Sequence, residues 1–180
     1  MEQQGKRQKD QTIEENGFLK KLRKNRRNHI RKIDELKKEL FVPLTDDQLE
    51  HDVKYVVKKI EEASERSVNI SVGFAIKEKF GKPMHLFVLI CNINQALNSD
   101  ERYKADIEEF HSAFDVFKRT EVRRLALAIA DQIDFPFYEF DPRFFVKTSK
   151  EGLCEPPYGI NVKTREGGWS IEIWWGIDSE

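Results

Sequence analysis

The sequence predicts an α+β fold: an N-terminal antiparallel helical hairpin, then a mostly antiparallel sheet of about five strands in the order β-β-α-β-β-β, packed on one long helix. Three observations carry this expectation. Apolar residues recur every three or four positions over residues 18–63 and again over 99–134. Between and after those stretches, apolar and polar residues alternate, as in half-buried strands. Pro43, Pro83 and Pro136 fall where one pattern gives way to the next, and proline cannot continue a helical ladder.

Residues 1–16 hold almost no apolar side chain and are expected to form a mobile tail. A first helix begins near Phe18, with a seam of Phe18, Leu22, Ile33, Leu36 and Leu40 whose middle is filled by Asn25 and His29. Val42-Pro43-Leu44 ends it. Thr45-Asp46-Asp47-Gln48 has the form of a capping box, in which the Thr hydroxyl and the Gln side chain satisfy free backbone donors. The second seam is Leu49, Val53, Val56, Ile60 and Ala63, so residues 17–64 form the expected hairpin and 65–180 the α+β domain.

In that domain Val68, Ile70, Val72, Phe74 and Ile76 alternate with polar or small residues, as a strand with one buried face. Phe80-Gly81-Lys82-Pro83 turns the chain. Met84–Ile93 is nearly all apolar and is expected to be a central strand covered on both faces, completing a β-hairpin and burying Cys91. Tyr103, Ile107, Phe110, Phe114 and Phe117 lead into Val122, Leu125, Ile129 and Ile133 on a long helix with a break near Thr120. Short strands follow at Phe144–Thr148, Tyr158–Thr164 and Trp169–Trp175. The last two are joined through Arg165-Glu166-Gly167-Gly168, with Trp169, Ile171, Ile173 and Trp175 on one face.

Composition bounds the function. Two cysteines, Cys91 and Cys154, make no disulfide framework and point to a reducing compartment. The polar, charged Met1–Asp10 reads against a secretory signal, and no apolar run approaches the length of a membrane span, so a cytoplasmic location is expected. A net charge of −1 conceals a division. Residues 1–40 carry 13 Lys and Arg against 7 Asp and Glu, leaving 18 against 25 for the remainder.

That division makes the first helix the leading candidate site. Lys20, Lys21, Arg23, Lys24, Arg26, Arg27, Arg31, Lys32, Lys37 and Lys38 are interrupted only by the anions Asp34 and Glu35. The first eight are the candidate contacts to nucleic acid or to an acidic protein. Such a face neutralises phosphates without reading bases, so binding to nucleic acid would be non-specific. Trp174, pointing away from the expected core beside Ser170 and Glu172, is a candidate apolar anchor for a partner.

No catalytic residue is identified, and neither a cofactor nor a metal is expected. Glu108-x-x-His111 has a spacing that puts two ligands on one helical face, but a di-iron bundle needs a second such helix, and the comparable offset at His51 begins with Gln48. His85 and Cys91, six residues apart on one strand, would stand some 20 Å apart, too far to act together. The sequence therefore reads as a non-catalytic binding or adaptor protein. Two alternatives stand beside it. One is a protein-only inhibitor or assembly subunit. The other is a small metal-dependent hydrolase or nuclease, using acids among Asp106, Glu109, Asp131, Asp134, Glu139 and Asp141.

Overall fold

A computed structural model describes residues 17–66, 74–77, 84–138, 158–165 and 168–174. The chain divides into two compact units, Met1–Glu39 and Leu40–Glu180. The described part of the first is the helix α1, Gly17–Leu40, along which Ile33 is the buried residue.

The described residues of the second unit are mostly helical. They form α2 (Asp46–Arg66), β1 (Phe74–Lys77), α3 (His85–Ser99), α4 (Glu101–Lys104), α5 (Ile107–Ile133), β2 (Phe137–Tyr138), β3 (Gly159–Arg165) and β4 (Gly168–Trp174). The described strands form one small mixed sheet in the order β1-β4-β3-β2. This overturns the expected sheet of about five mostly antiparallel strands.

The correction turns on Met84–Ile93, which is not a strand. It belongs to α3, whose buried residues Leu86, Ile90, Ile93 and Leu97 follow offsets of four, three and four. Read only as far as Ile93, the run shows no polar face. Carried on through Asn94, Gln95 and Asn98, it is a helix with one apolar side. Val88, which a strand would place on the same face as Leu86, is 47% exposed. Cys91 is exposed as well, correcting its expected burial. With His85 it now lies on one helix, about 9 Å along the axis.

α3 has no cap of its own. Met84 at its start makes no side-chain cap hydrogen bond. The first free N–H groups, those of His85 and Leu86, are instead accepted by the carboxylate of Asp52 on α2, at 2.9 and 2.8 Å. Asp52 is fully buried. Burying a carboxylate is costly unless such bonds satisfy it, so the pair of amides explains both the position of Asp52 and the docking of α3 on α2.

The long helix is also broken elsewhere than expected. Asp100 caps α4 by accepting from the Arg102 N–H at 2.9 Å, and the chain re-enters a helix after Ala105-Asp106, not near Thr120. α5 is the central element, packed against α2, α3, β3 and β4. Phe110, Phe114, Val122, Leu125 and Ile129 are buried, as their spacing predicts. Asp134 ends α5 in the left-handed conformation, φ 55°.

The capping box at Thr45 is formed: Thr45 N–H donates to Gln48 Oε1 at 3.0 Å and Gln48 N–H to Thr45 Oγ1 at 3.3 Å. The segment before it is fastened to α5. Phe41 stacks on Phe117, with ring centroids 5.4 Å apart. The buried carboxylate of Glu121 accepts from Leu44 N–H at 3.1 Å, and Arg124 donates to Leu44 O and Asp46 Oδ1 at 2.8 and 2.7 Å.

In the sheet, β3 and β4 pair antiparallel with Val162 opposite Ile171 and Arg165 opposite Gly168. Trp169, Ile171 and Ile173 are buried, the face their alternation predicts. β1 pairs antiparallel with β4, setting Phe74 opposite Ile173. β2 pairs parallel with β3, Phe137 opposite Ile160. That approach needs the bare Cα of Gly159 (φ 150°), because a Cβ there would fall 2.3 Å from the Tyr138 ring. The expected tail 1–16, the turn at 80–83, the strand Phe144–Thr148, the loop 151–157 with Cys154, Glu139, Asp141 and Trp175 lie outside the described residues. So do residues 67–73 of the first expected strand.

Candidate functional site

α1 carries the candidate contacts. Over 24 residues it spans about 36 Å, and Lys20, Lys21, Arg23, Lys24, Arg26, Arg27, Arg31 and Lys32 are all exposed. At 100° per residue, Lys20, Lys24, Arg27 and Arg31 fall within one narrow stripe. Lys20, Arg23, Lys24 and Arg27 line a shallow groove of about 240 Å³ together with Asn28. Four cationic groups around one concavity concentrate positive potential where an anionic group can enter. An exposed pair, Arg31 with Glu35 at 3.6 Å, offsets part of the charge at the far end of the stripe.

On the opposite side of α1 the apolar seam is interrupted by Asn25 and His29, and its N-terminal part lies in solvent. Phe18 is 64% exposed and Leu22 47%, while the exposed Leu19 and Ile30 fall on the flank of the helix that also carries Arg23 and Arg26. The exposure of this seam was not legible from spacing, which indicates only that such residues share a face.

Trp174 ends β4, opposite Gly159 in the register, and its side chain lies outside the described residues. Among the described acids weighed for an enzyme, Asp106 and Glu109 are not brought together with Asp131 and Asp134. Asp106 and Glu109 stand at the start of α5 and Asp131 and Asp134 at its end, some 35 Å apart along the axis. Glu108 and His111 remain on the same helix, Glu108 exposed and His111 half-buried.

A second cluster, which sequence reading did not find, lies on the second unit. His51 and Asp52 on α2 meet His85 at the start of α3. The Nδ1 atoms of His85 and His51 lie 3.1 and 3.3 Å from Asp52 Oδ1. The two rings meet edge to face, centroids 4.6 Å apart. Both imidazoles are part-exposed above the buried carboxylate. His85 also lines a groove of about 480 Å³ with Val42, Leu44, Gln48, Val88 and Asn92. The signal that could have located the cluster is the absence of a capping residue before His85, which requires an acceptor from elsewhere.

These features define a mostly helical α+β chain with an exposed basic helix and a buried carboxylate flanked by two imidazoles. Comparison with family models, with curated proteins and with solved structures produced no match. Among the described residues, no helix is long and apolar enough to cross a membrane.

Proposed function

We propose that the protein is a non-catalytic binding module whose helix α1 contacts the phosphate backbone of nucleic acid. The convergence of Lys20, Arg23, Lys24 and Arg27 on one exposed groove carries this reading. Their stripe continues through Arg31, so several phosphates along a strand are within reach of one helix. Phosphate contacts fix register and orientation but carry no sequence information, so a contact of this kind positions the protein without selecting a sequence. The second unit, which carries the acidic excess, is left to engage a further component of the same assembly.

A second reading is favoured by one specific observation. The exposed apolar pair Phe18 and Leu22, on the side of α1 away from the cationic stripe, suits an acidic amphipathic protein helix better than a nucleic-acid backbone.

The test is binding to a panel of DNA and RNA at low and moderate salt, comparing the wild-type chain with a variant carrying Arg23→Glu, Arg26→Glu, Arg27→Glu and Arg31→Glu. For about five phosphate contacts on duplex DNA, the slope of log affinity against log salt should be about −4.5 and should vanish with binding in the variant. Absence of wild-type binding at low salt refutes the nucleic-acid reading and leaves the protein partner.

A further inference from the structure

We propose that His51, Asp52 and His85 form a mononuclear binding site for a transition-metal dication of the zinc class, with one coordination position open. This departs from the sequence expectation that no metal is bound, and it is independent of α1.

The residue types are suited to it. Two imidazole nitrogens and a carboxylate oxygen are ordinary ligands for Zn²⁺, and three protein ligands with a vacant fourth position are the arrangement of sites that also hold a water or a substrate atom. One ligand atom from each residue lies within 4.8 Å of the others. Bonds of about 2.0–2.2 Å in a tetrahedron require ligand atoms about 3.3 Å apart. The two Nδ1–Oδ1 separations, 3.1 and 3.3 Å, already match that edge. The third separation, between the ring nitrogens, lies within 4.8 Å and is set by rotation of two part-exposed side chains.

Lone-pair counting favours a cation over two protons. Asp52 Oδ1 has two lone pairs and three nitrogens around it: the backbone N–H of His85 at 2.9 Å and the two ring nitrogens. One backbone bond leaves a single lone pair for both rings. A bound dication uses that one lone pair and accepts both ring nitrogens at once, each neutral ring then carrying its proton on Nε2. The amides of His85 and Leu86 then act as the outer support, holding the carboxylate in place. The positive end of α3 opposes a cation, and the buried charge of Asp52 offsets it.

Binding is carried by the imidazoles, whereas the packing of α3 rests on Asp52, so the two roles can be separated. The probe is Zn²⁺, with Co²⁺ as its spectroscopic substitute, added to the full chain without an affinity tag and stripped by chelator. One equivalent of Zn²⁺ should bind and raise the unfolding midpoint, and Co²⁺ should give the intense visible bands of a four-coordinate ion. His51→Ala and His85→Ala should each weaken Zn²⁺ by about 100-fold or more, since loss of even an outer partner typically costs 10–100-fold. His29→Ala and His111→Ala should change nothing. In the wild-type chain, which needs no variant to fold, Zn²⁺ should shift the ring-nitrogen NMR signals of His51 and His85 alone. The proposal is overturned if the wild type binds no Zn²⁺. It is equally overturned if the two ligand variants retain its affinity, or if the shifted signals belong to His29 or His111.

Discussion

Replacing Asp52 by Ala tests the most consequential contact in the second unit. The carboxylate accepts the first two N–H groups of α3, from His85 at 2.9 Å and Leu86 at 2.8 Å, and nothing at Met84 substitutes for it. Hydrogen bonds to a charged group contribute about 1.5–3 kcal/mol each, and a lost helix cap typically costs about 0.5–2 kcal/mol. Water entering the vacated space recovers part of this, so we expect a destabilisation of about 3 kcal/mol. Asp52→Asn keeps one acceptor oxygen but turns an amide toward the other N–H, which should cost about half as much. With a urea m value of about 2 kcal/mol/M, the midpoint should fall by about 1.5 M for Ala and about 0.7 M for Asn. Hydrogen exchange at the Leu86 amide should accelerate in both. An Asp52→Ala midpoint within about 0.3 M of wild type, with Leu86 exchange unchanged, would refute the assignment of Asp52 as the cap of α3.

Two further outcomes follow from the geometry. Leu86→Ala should cost about 3 kcal/mol and Val88→Ala under about 0.5 kcal/mol in the same denaturation assay, because one is buried on α3 and the other is in solvent; equal costs would restore the alternation of a strand. Asp100, bonded to the Arg102 side chain and backbone N–H, has its carboxyl held below the ordinary aspartate range. Because the folded value is the lower one, its contribution is complete above the ordinary aspartate value and is lost as pH falls through the folded value. An NMR titration should show that low midpoint, rising in Arg102→Ala; a midpoint equal to that of an unfolded peptide would contradict the cap.

The basic helix was legible because its charges are consecutive in the chain and need no partner to define them. The same holds for the capping box at Thr45, whose two bonds close within four residues, and for the buried stripe of α5, since periodicity records which residues share a face. The face of β4 formed by Trp169, Ile171 and Ile173 followed from alternation for the same reason. Met84–Ile93 was misread because ten mostly apolar residues satisfy both a doubly covered strand and one stretch of a helix. The distinction lay in the polar residues beyond Ile93, which show that only one side is covered.

The cluster of His51, Asp52 and His85 belonged to no local pattern. Its members come from two elements more than thirty residues apart, and only the docking of α3 on α2 brings them to one carboxylate. The sequence alone determined where charge and apolar faces lie along each helix, because those properties depend on neighbours three or four positions away. The tertiary structure decided which helix end lacked a cap, which buried acid supplied it and which imidazoles came with it, because a buried polar group must find its partner wherever the packed chain presents one.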